Sequence, residues 1–412
     1  MNPELIAPAG NWPMLMAAIK ARADAAYFGV KQLNMRMTAN NFELSELKKV
    51  VSECHKNKVK AYLTLNTIIY DNEIGKLKKI LTEAKKAKID AVIAWDFSVL
   101  KEANKLKIPI HLSTQASVSN YESAEYYYKK FGVESITLAR ELSMEQIKSI
   151  IQKINDYYPI KNKSLKNNKK LEIECFIHGA MCVSISGRCF LSQHLFNKSA
   201  NRGECLQPCR RKYIVYEPED KYKLALGEDY IMSPKDLCAL PFVDKLIEAG
   251  ISAFKIEGRN RSPEYVKTAV ECYREAINNY KKIDKIKSRL LTKLKTVYNR
   301  GLSSGFYLGL PTAKDFTDVY GSKQAKTKFY VGKIKNYYKK IKVAEVLIEN
   351  EPIKVGDELI IIGNKTGCVE EKLSSIEIRH KKVKEAKKGQ RVAIKTNNLL
   401  RENDRVFVLK NS

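Results

Sequence analysis

Short apolar runs alternate with amphipathic stretches from the start of the chain. "ELIAPAG" precedes "NWPMLMAAIKARA", "DAAYFGV" precedes "LSELKKVVSECHKNK", and "VKAYLTLNTI" precedes "IGKLKKILTEAKKAK". Five more strand-like runs follow: "DAVIAWD", "IPIHLSTQAS", "SITLARELS", "LEIECFIHG" and "ISAFKIEGR". Eight strand-and-helix units over residues 1–280 predict an α/β fold, a TIM-like (β/α)8 barrel; a doubly wound open sheet is the alternative.

Alternation within the strands favours the barrel. Tyr62, Thr64 and Asn66 share one face of the third run, and His111, Ser113 and Gln115 one face of the fifth. Glu174 and His178 do so in the seventh, as do Lys255, Glu257 and Arg259 in the eighth. Successive side chains of a strand point to opposite faces, so these polar positions gather inside, near the C-terminal mouth where barrels build their sites. The intervening Ile173, Cys175 and Ile177 then pack under the helices. A Glu174 or Glu257 pair with Lys255 would satisfy the buried charges without any function. A polar pocket is the preferred expectation, with Glu174, His178 and Arg259 as candidate catalytic groups. Asn66, His111, Gln115, Lys255 and Glu257 are the candidate substrate contacts.

Two segments interrupt the alternation: a lysine- and asparagine-rich loop over 155–170, and a cysteine-bearing excursion over about 179–240, between strands seven and eight. Ser262 and Pro263 open the last barrel helix as N-cap and first residue. Residues 281–325 hold a basic helix, with Ile283, Ile286, Leu290, Leu294 and Val297 on its docking face, and a connecting loop. From 326 to 412 short strands separated by glycine and charged turns predict a small β-barrel.

Composition adds a direction. Of 412 residues, 44% are hydrophobic and 29% charged, as in globular proteins, and no apolar run is long enough to span a bilayer. The N-terminus lacks the pattern of a signal peptide, which points to the cytoplasm. Lysine and arginine number 74 against 46 acidic residues, a net +28 that would attract a polyanion such as RNA. Residues 321–412 alone carry 22 basic and 11 acidic side chains. A solvated lysine surface would give the same counts.

Five of the nine cysteines, Cys182, Cys189, Cys205, Cys209 and Cys238, fall in the excursion or at its end. In a reducing compartment such clustering points to metal ligation rather than disulfides. Thiolates hold either zinc or an iron-sulfur cluster, and the absence of C-x2-C hooks favours the cluster. A nucleophilic cysteine beside His178 or His194 is a further alternative.

"ECFIHGAMCVSISGRCFLS" resembles the signature of peptidase family U32, the collagenase-like peptidases, through Glu174, Phe176, Gly179, Ala180, Met181, Cys182, Gly187, Cys189, Leu191 and Ser192. "ELIAPAGNW", "HLSTQASVSN", "LARELS", "NRGECLQPCR", "SPKDLC", "KIEGRNRSPEYV" and "GLSSGFYLG" extend the likeness in order over about residues 3–310. The C-terminal part is similar to the family's small β-barrel, itself like the second domain of translation elongation factors.

The resemblance implies two activities. Some members are RNA hydroxylases that form 5-hydroxyuridine in tRNA or 5-hydroxycytidine in ribosomal RNA, with a 4Fe-4S cluster on four cysteines and prephenate as the hydroxyl source; the family name implies a peptidase. Carried over, the ligands are Cys182, Cys189, Cys205 and Cys238, with Cys209 as a substitute. The chain has no H-E-x-x-H motif, while a cysteine excursion at the top face, a polar barrel mouth and a basic chain with a translation-factor-like module agree with an RNA hydroxylase, which is the first expectation, with a peptidase the alternative. A non-catalytic RNA-binding maturation factor is the third. A homo-oligomer is compatible with all three.

Overall fold

The computed structural model describes residues 2–157, 170–211, 213–216, 218, 219, 223–225, 232–319 and 321–412. Most of the 155–170 loop and part of the 179–240 excursion lie outside the described residues.

Eight parallel strands form the body: β1 (Glu4–Ala9), β2 (Ala25–Phe28), β3 (Lys60–Leu65), β4 (Ala91–Ala94), β5 (Ile110–Leu112), β6 (Ser135–Thr137), β7 (Glu172–Gly179) and β8 (Ala253–Ile256). Each pairs with the next, and β8 also pairs with β1 in the register Leu5↔Phe254. That last pairing closes the barrel and excludes the open sheet.

Among the described residues ten α-helices accompany these strands: α1 (Trp12–Lys20), α2 (Leu47–Lys56), α3 (Ile74–Lys86), α4 (Phe97–Lys105), α5 (Tyr121–Phe131), α6 (Met144–Tyr157), α7 (Leu191–Phe196), α8 (Val243–Glu248), α9 (Pro263–Asn278) and α10 (Ile283–Lys295). Spacing explains why they dock. In α3, Leu77, Ile80, Leu81 and Ala84 form one buried stripe while lysines occupy the other faces. Leu81 is fully buried, so truncating it to alanine would cost about 2–5 kcal/mol. Asn11 caps α1 by accepting from the Met14 N–H at 3.0 Å. Ser262 stands at the N-cap of α9 but makes no capping hydrogen bond with its side chain.

Beneath the mouth the barrel is filled by Ile6, Tyr27, Tyr62, Ala91, Ile93 and their neighbours. The excursion leaves β7 at Gly179 and returns through the short strand Asp236–Cys238, which runs antiparallel to the end of β7 with Cys238 opposite His178.

The C-terminal strands are β9 (Lys326–Tyr338), β10 (Val343–Ile348), β11 (Glu358–Gly363), β12 (Gly367–Lys372), β13 (Ile376–Ile378), β14 (Lys381–Val383), β15 (Arg391–Lys395) and β16 (Arg405–Asn411). They make one antiparallel sheet in the order β12-β11-β16-β9-β10-β15-β13-β14, whose apolar faces meet in a single core. Its outer face is docked: Ile360, Cys368 and Phe407 pack against Ala17 of α1, and Lys267 of α9 bridges to Glu370 at 2.9 Å. Among the described residues no helix is long and apolar enough to cross a membrane.

Candidate functional site

A cavity of about 140 Å³ opens at the C-terminal mouth of the barrel. On its floor Lys255 of β8 donates to Glu174 Oε1 of β7 at 2.7 Å, and Thr137 Oγ1 of β6 donates to the same oxygen at 2.5 Å. Both charged side chains are buried, at 4% and 0% exposure. Of the two carboxylates open to Lys255, Glu174 is the one it pairs with. That is not the whole arrangement, because among the described residues Glu174 Oε2 is buried without a partner and the ammonium lies 4.7 Å from the Tyr27 ring centroid.

Above the floor, Arg259 Nη1 donates to Thr64 Oγ1 at 2.8 Å. Arg36 donates to Glu257 Oε1 from Nε at 3.1 Å and from Nη2 at 2.9 Å. Burial alone would raise the Glu257 carboxyl, but Arg36, with Arg261 and Arg140, holds it below the usual carboxylate range. Burial lowers the Arg259 guanidinium to about 10, still charged at neutral pH. Arg36, Arg140, Arg210, Arg259 and Lys255 line the cavity, against one carboxylate among the described residues, Glu257, so it favours an anion.

Part of the wall is sulfur. Cys182, Cys189, Cys205 and Cys209 all line this cavity, whereas Cys238 does not. The four come from separate turns brought together by specific contacts. Arg140 donates to Ala180 O at 2.9 Å and Arg210 to Met181 O at 2.5 Å, fixing the turn before Cys182. The Leu206 N–H donates to Ser192 Oγ at 3.1 Å, tying the Cys189 and Cys205 segments together. Gly203 has φ +81°, and a Cβ there would stand 2.2 Å from Asn34 O, so only glycine lets this segment close over the mouth. The Leu191 and Gln207 N–H groups donate to Cys189 and Cys205 Sγ at 3.5 and 3.4 Å.

Burial opposes the Cys182 thiolate, but hydrogen bonds from Ser184 and Gly187 and the charge of Arg140 bring this thiol below its ordinary value. Burial pushes Cys205 and Cys209 up, and the neighbouring cysteines add to the effect. Among the described residues no three or more His, Cys, Asp or Glu side chains are grouped to hold a single metal ion. Four thiols lining one cavity are a donor set that either zinc or an iron-sulfur cluster takes.

Several candidate residues lie away from the cavity. Cys238 is buried beneath α9, 3.7 Å from Tyr273 Oη, so Cys209 takes its place among the cavity thiols. His178 faces outward: β7 skips one residue between Phe176 and His178 in its pairing with β8, and the ring packs 5.8 and 5.4 Å from Tyr265 and Tyr273. His111 points inward but lies below the cavity, 4.5 Å from the Tyr62 ring, with Nδ1 unpartnered. His194 is exposed on α7. Asn66, Gln115, Lys255, Glu257 and Arg259 do line the cavity, and Glu174 lies directly under it. Sequence reasoning missed Arg36, Arg140 and Arg210, whose signal was an arginine in the loop just past a strand or beside a cysteine. "GLSSG" at 301–305 matches G-x-S-x-G, but Ser303 sits on a two-residue strand and accepts from the Gly305 N–H at 3.1 Å.

A family model described as Peptidase family U32 matches residues 10–317. A Porphyromonas gingivalis protein named collagenase is 41% identical over 98% of this chain and 97% of its own length. A Methanocaldococcus jannaschii protein described as an uncharacterized protease is also 41% identical, over 99% and 98%. The Bacillus subtilis tRNA hydroxylation protein P1 is 33% identical, over 88% of this chain and 84% of that protein.

Proposed function

The chain belongs to peptidase family U32, and from that premise we propose that it is an RNA hydroxylase acting on a pyrimidine of tRNA or ribosomal RNA, with a 4Fe-4S cluster and prephenate as hydroxyl donor. The observation that carries this reading is the meeting of Cys182, Cys189, Cys205 and Cys209 in one cationic cavity at the barrel mouth. The net charge of +28 and the likeness to a tRNA hydroxylation protein support RNA as the substrate.

The four thiols would hold the cluster, which when bound supplies electron transfer or a Lewis-acidic iron. The chain's own groups have separable tasks. Arg140 and Arg210 hold the turn that presents Cys182. Glu257 is kept ionised by Arg36, which binds Oε1, and so presents a fixed negative charge at the mouth. Arg259 and Lys255 supply positive charge for an anionic donor, and basic residues of the C-terminal sheet bind the RNA backbone without reading its sequence.

The relatives named collagenase and protease make a peptidase the second reading. No histidine lines the cavity, so its thiols lack the base a cysteine nucleophile uses. Nucleoside mass spectrometry of RNA from cells lacking the gene tests the choice. The account expects loss of one hydroxypyrimidine, restored by the wild-type gene and not by Cys182→Ser. An unchanged profile with peptide cleavage by the purified protein would establish the peptidase instead, and RNA affinity with neither activity a binding factor.

A further inference from the structure

Lys255 is under-used as a structural residue. Its ammonium has three donors, yet among the described residues its one hydrogen-bond acceptor is Glu174 Oε1. The other Glu174 oxygen, on a side chain with no solvent exposure, has no partner among the described residues either. A buried ion pair retained for stability normally has its remaining donors and lone pairs satisfied. Here Lys255 lines the floor of a cavity whose walls carry Arg140 and Arg259, with Glu174 bonded to it from beneath, while the Tyr27 and Phe176 ring centroids lie 4.7 and 5.6 Å from the amine.

From this we infer that Lys255 forms an imine with a small 2-oxo acid, Glu174 carrying the proton and the guanidinium groups holding the ligand carboxylate. The ammonium passes one proton to Glu174. The freed Nζ attacks the carbonyl carbon, a C–N bond forms, and a second nitrogen proton moves to the carbonyl oxygen. Glu174 then returns its proton to that hydroxyl, the C–O bond breaks, and water leaves. The products are an iminium and an ionised Glu174, with no change of oxidation state. Desolvation and neighbouring cations are the settings in which lysines act as imine-forming nucleophiles, and the Tyr27 and Phe176 faces favour the cationic product. Arginine pairs with the planar carboxylate beside the carbonyl. The inference stands on the cavity floor and requires neither cluster nor RNA.

The test is trapping with pyruvate or glyoxylate and cyanoborohydride on the full chain, followed by peptide mapping. Lys255 should gain the mass of the oxo acid less one oxygen at concentrations that leave surface lysines unlabelled. Glu174→Gln should slow this about tenfold or more, and Lys255→Arg, which keeps the charge, should lose it. Thermal unfolding and circular dichroism of both variants report whether the fold survives. Lactate, which has the carboxylate but no carbonyl, should slow labelling without forming an adduct. A wild-type Lys255 that stays unlabelled, or is labelled no faster than surface lysines, overturns the inference, whatever the RNA profile shows.

Discussion

Arg36, in the loop after β2, places two hydrogen bonds on one oxygen of Glu257, just past β8, at 3.1 and 2.9 Å. The pair spans the cavity mouth and joins the first quarter of the barrel to its last strand. Both bonds fall on Oε1.

Removing either partner should have unequal effects. Arg36→Met leaves a carboxylate at 9% exposure without its cation and should cost about 2 kcal/mol, below the usual loss for a fully buried pair because Arg36 is one-third exposed. Glu257→Gln keeps an acceptor for Arg36 and should cost less. Urea unfolding of cluster-free protein checks the order.

His111 and His178 make stability fall in acid. Burial lowers both to about 4 from the ordinary 6.5, so the unfolded chain binds protons that the folded chain refuses. Their effect is absent above pH 6.5, grows as the pH drops from 6.5 toward 4, and levels below that. Each contributes a loss of roughly 3 kcal/mol over the window. His178→Phe, which keeps the ring among Tyr265 and Tyr273, should remove about half of the combined acid loss in unfolding free energies measured between pH 7 and pH 4.

Docking of the C-terminal sheet depends on close approach to α1. Gly367 has φ +70°, and a Cβ there would lie 2.9 Å from the Ala17 nitrogen. Ala17→Leu should therefore overpack the seam with Ile360, Cys368 and Phe407 and cost about 1–3 kcal/mol. Limited proteolysis should show earlier cleavage between 310 and 330, while the barrel's own unfolding transition moves little.

Gly203 tests how the cysteine segments close. Gly203→Val combines a positive φ with a clash against Asn34 O, so it should lower iron incorporation severalfold with little change in circular dichroism. Normal iron content in that variant would show that the Cys205 segment needs no such approach.

Much of this arrangement was legible in the residues. The barrel followed from eight apolar runs and the stripes between them, and the Glu174–Lys255 pair from the inward parity of two strands. Parity failed at His178 because a single unpaired residue in β7 turns every later side chain to the other face. Cys238 and Cys209 could not be ranked from spacing. Their positions depend on a long-range antiparallel pairing beside β7 and on the Arg210 contacts with Met181 and Pro234. Arg36 and Arg140 sit in loops without periodicity, so only their place after a barrel strand marked them.

The most direct measurement is iron and acid-labile sulfide in anaerobically purified protein, with its visible spectrum, for the wild type, Cys209→Ser and Cys238→Ser. The account predicts one 4Fe-4S cluster per chain in the wild type and in Cys238→Ser, and its loss in Cys209→Ser. A colourless wild type, or a cluster that survives Cys209→Ser and is lost in Cys238→Ser, would contradict it.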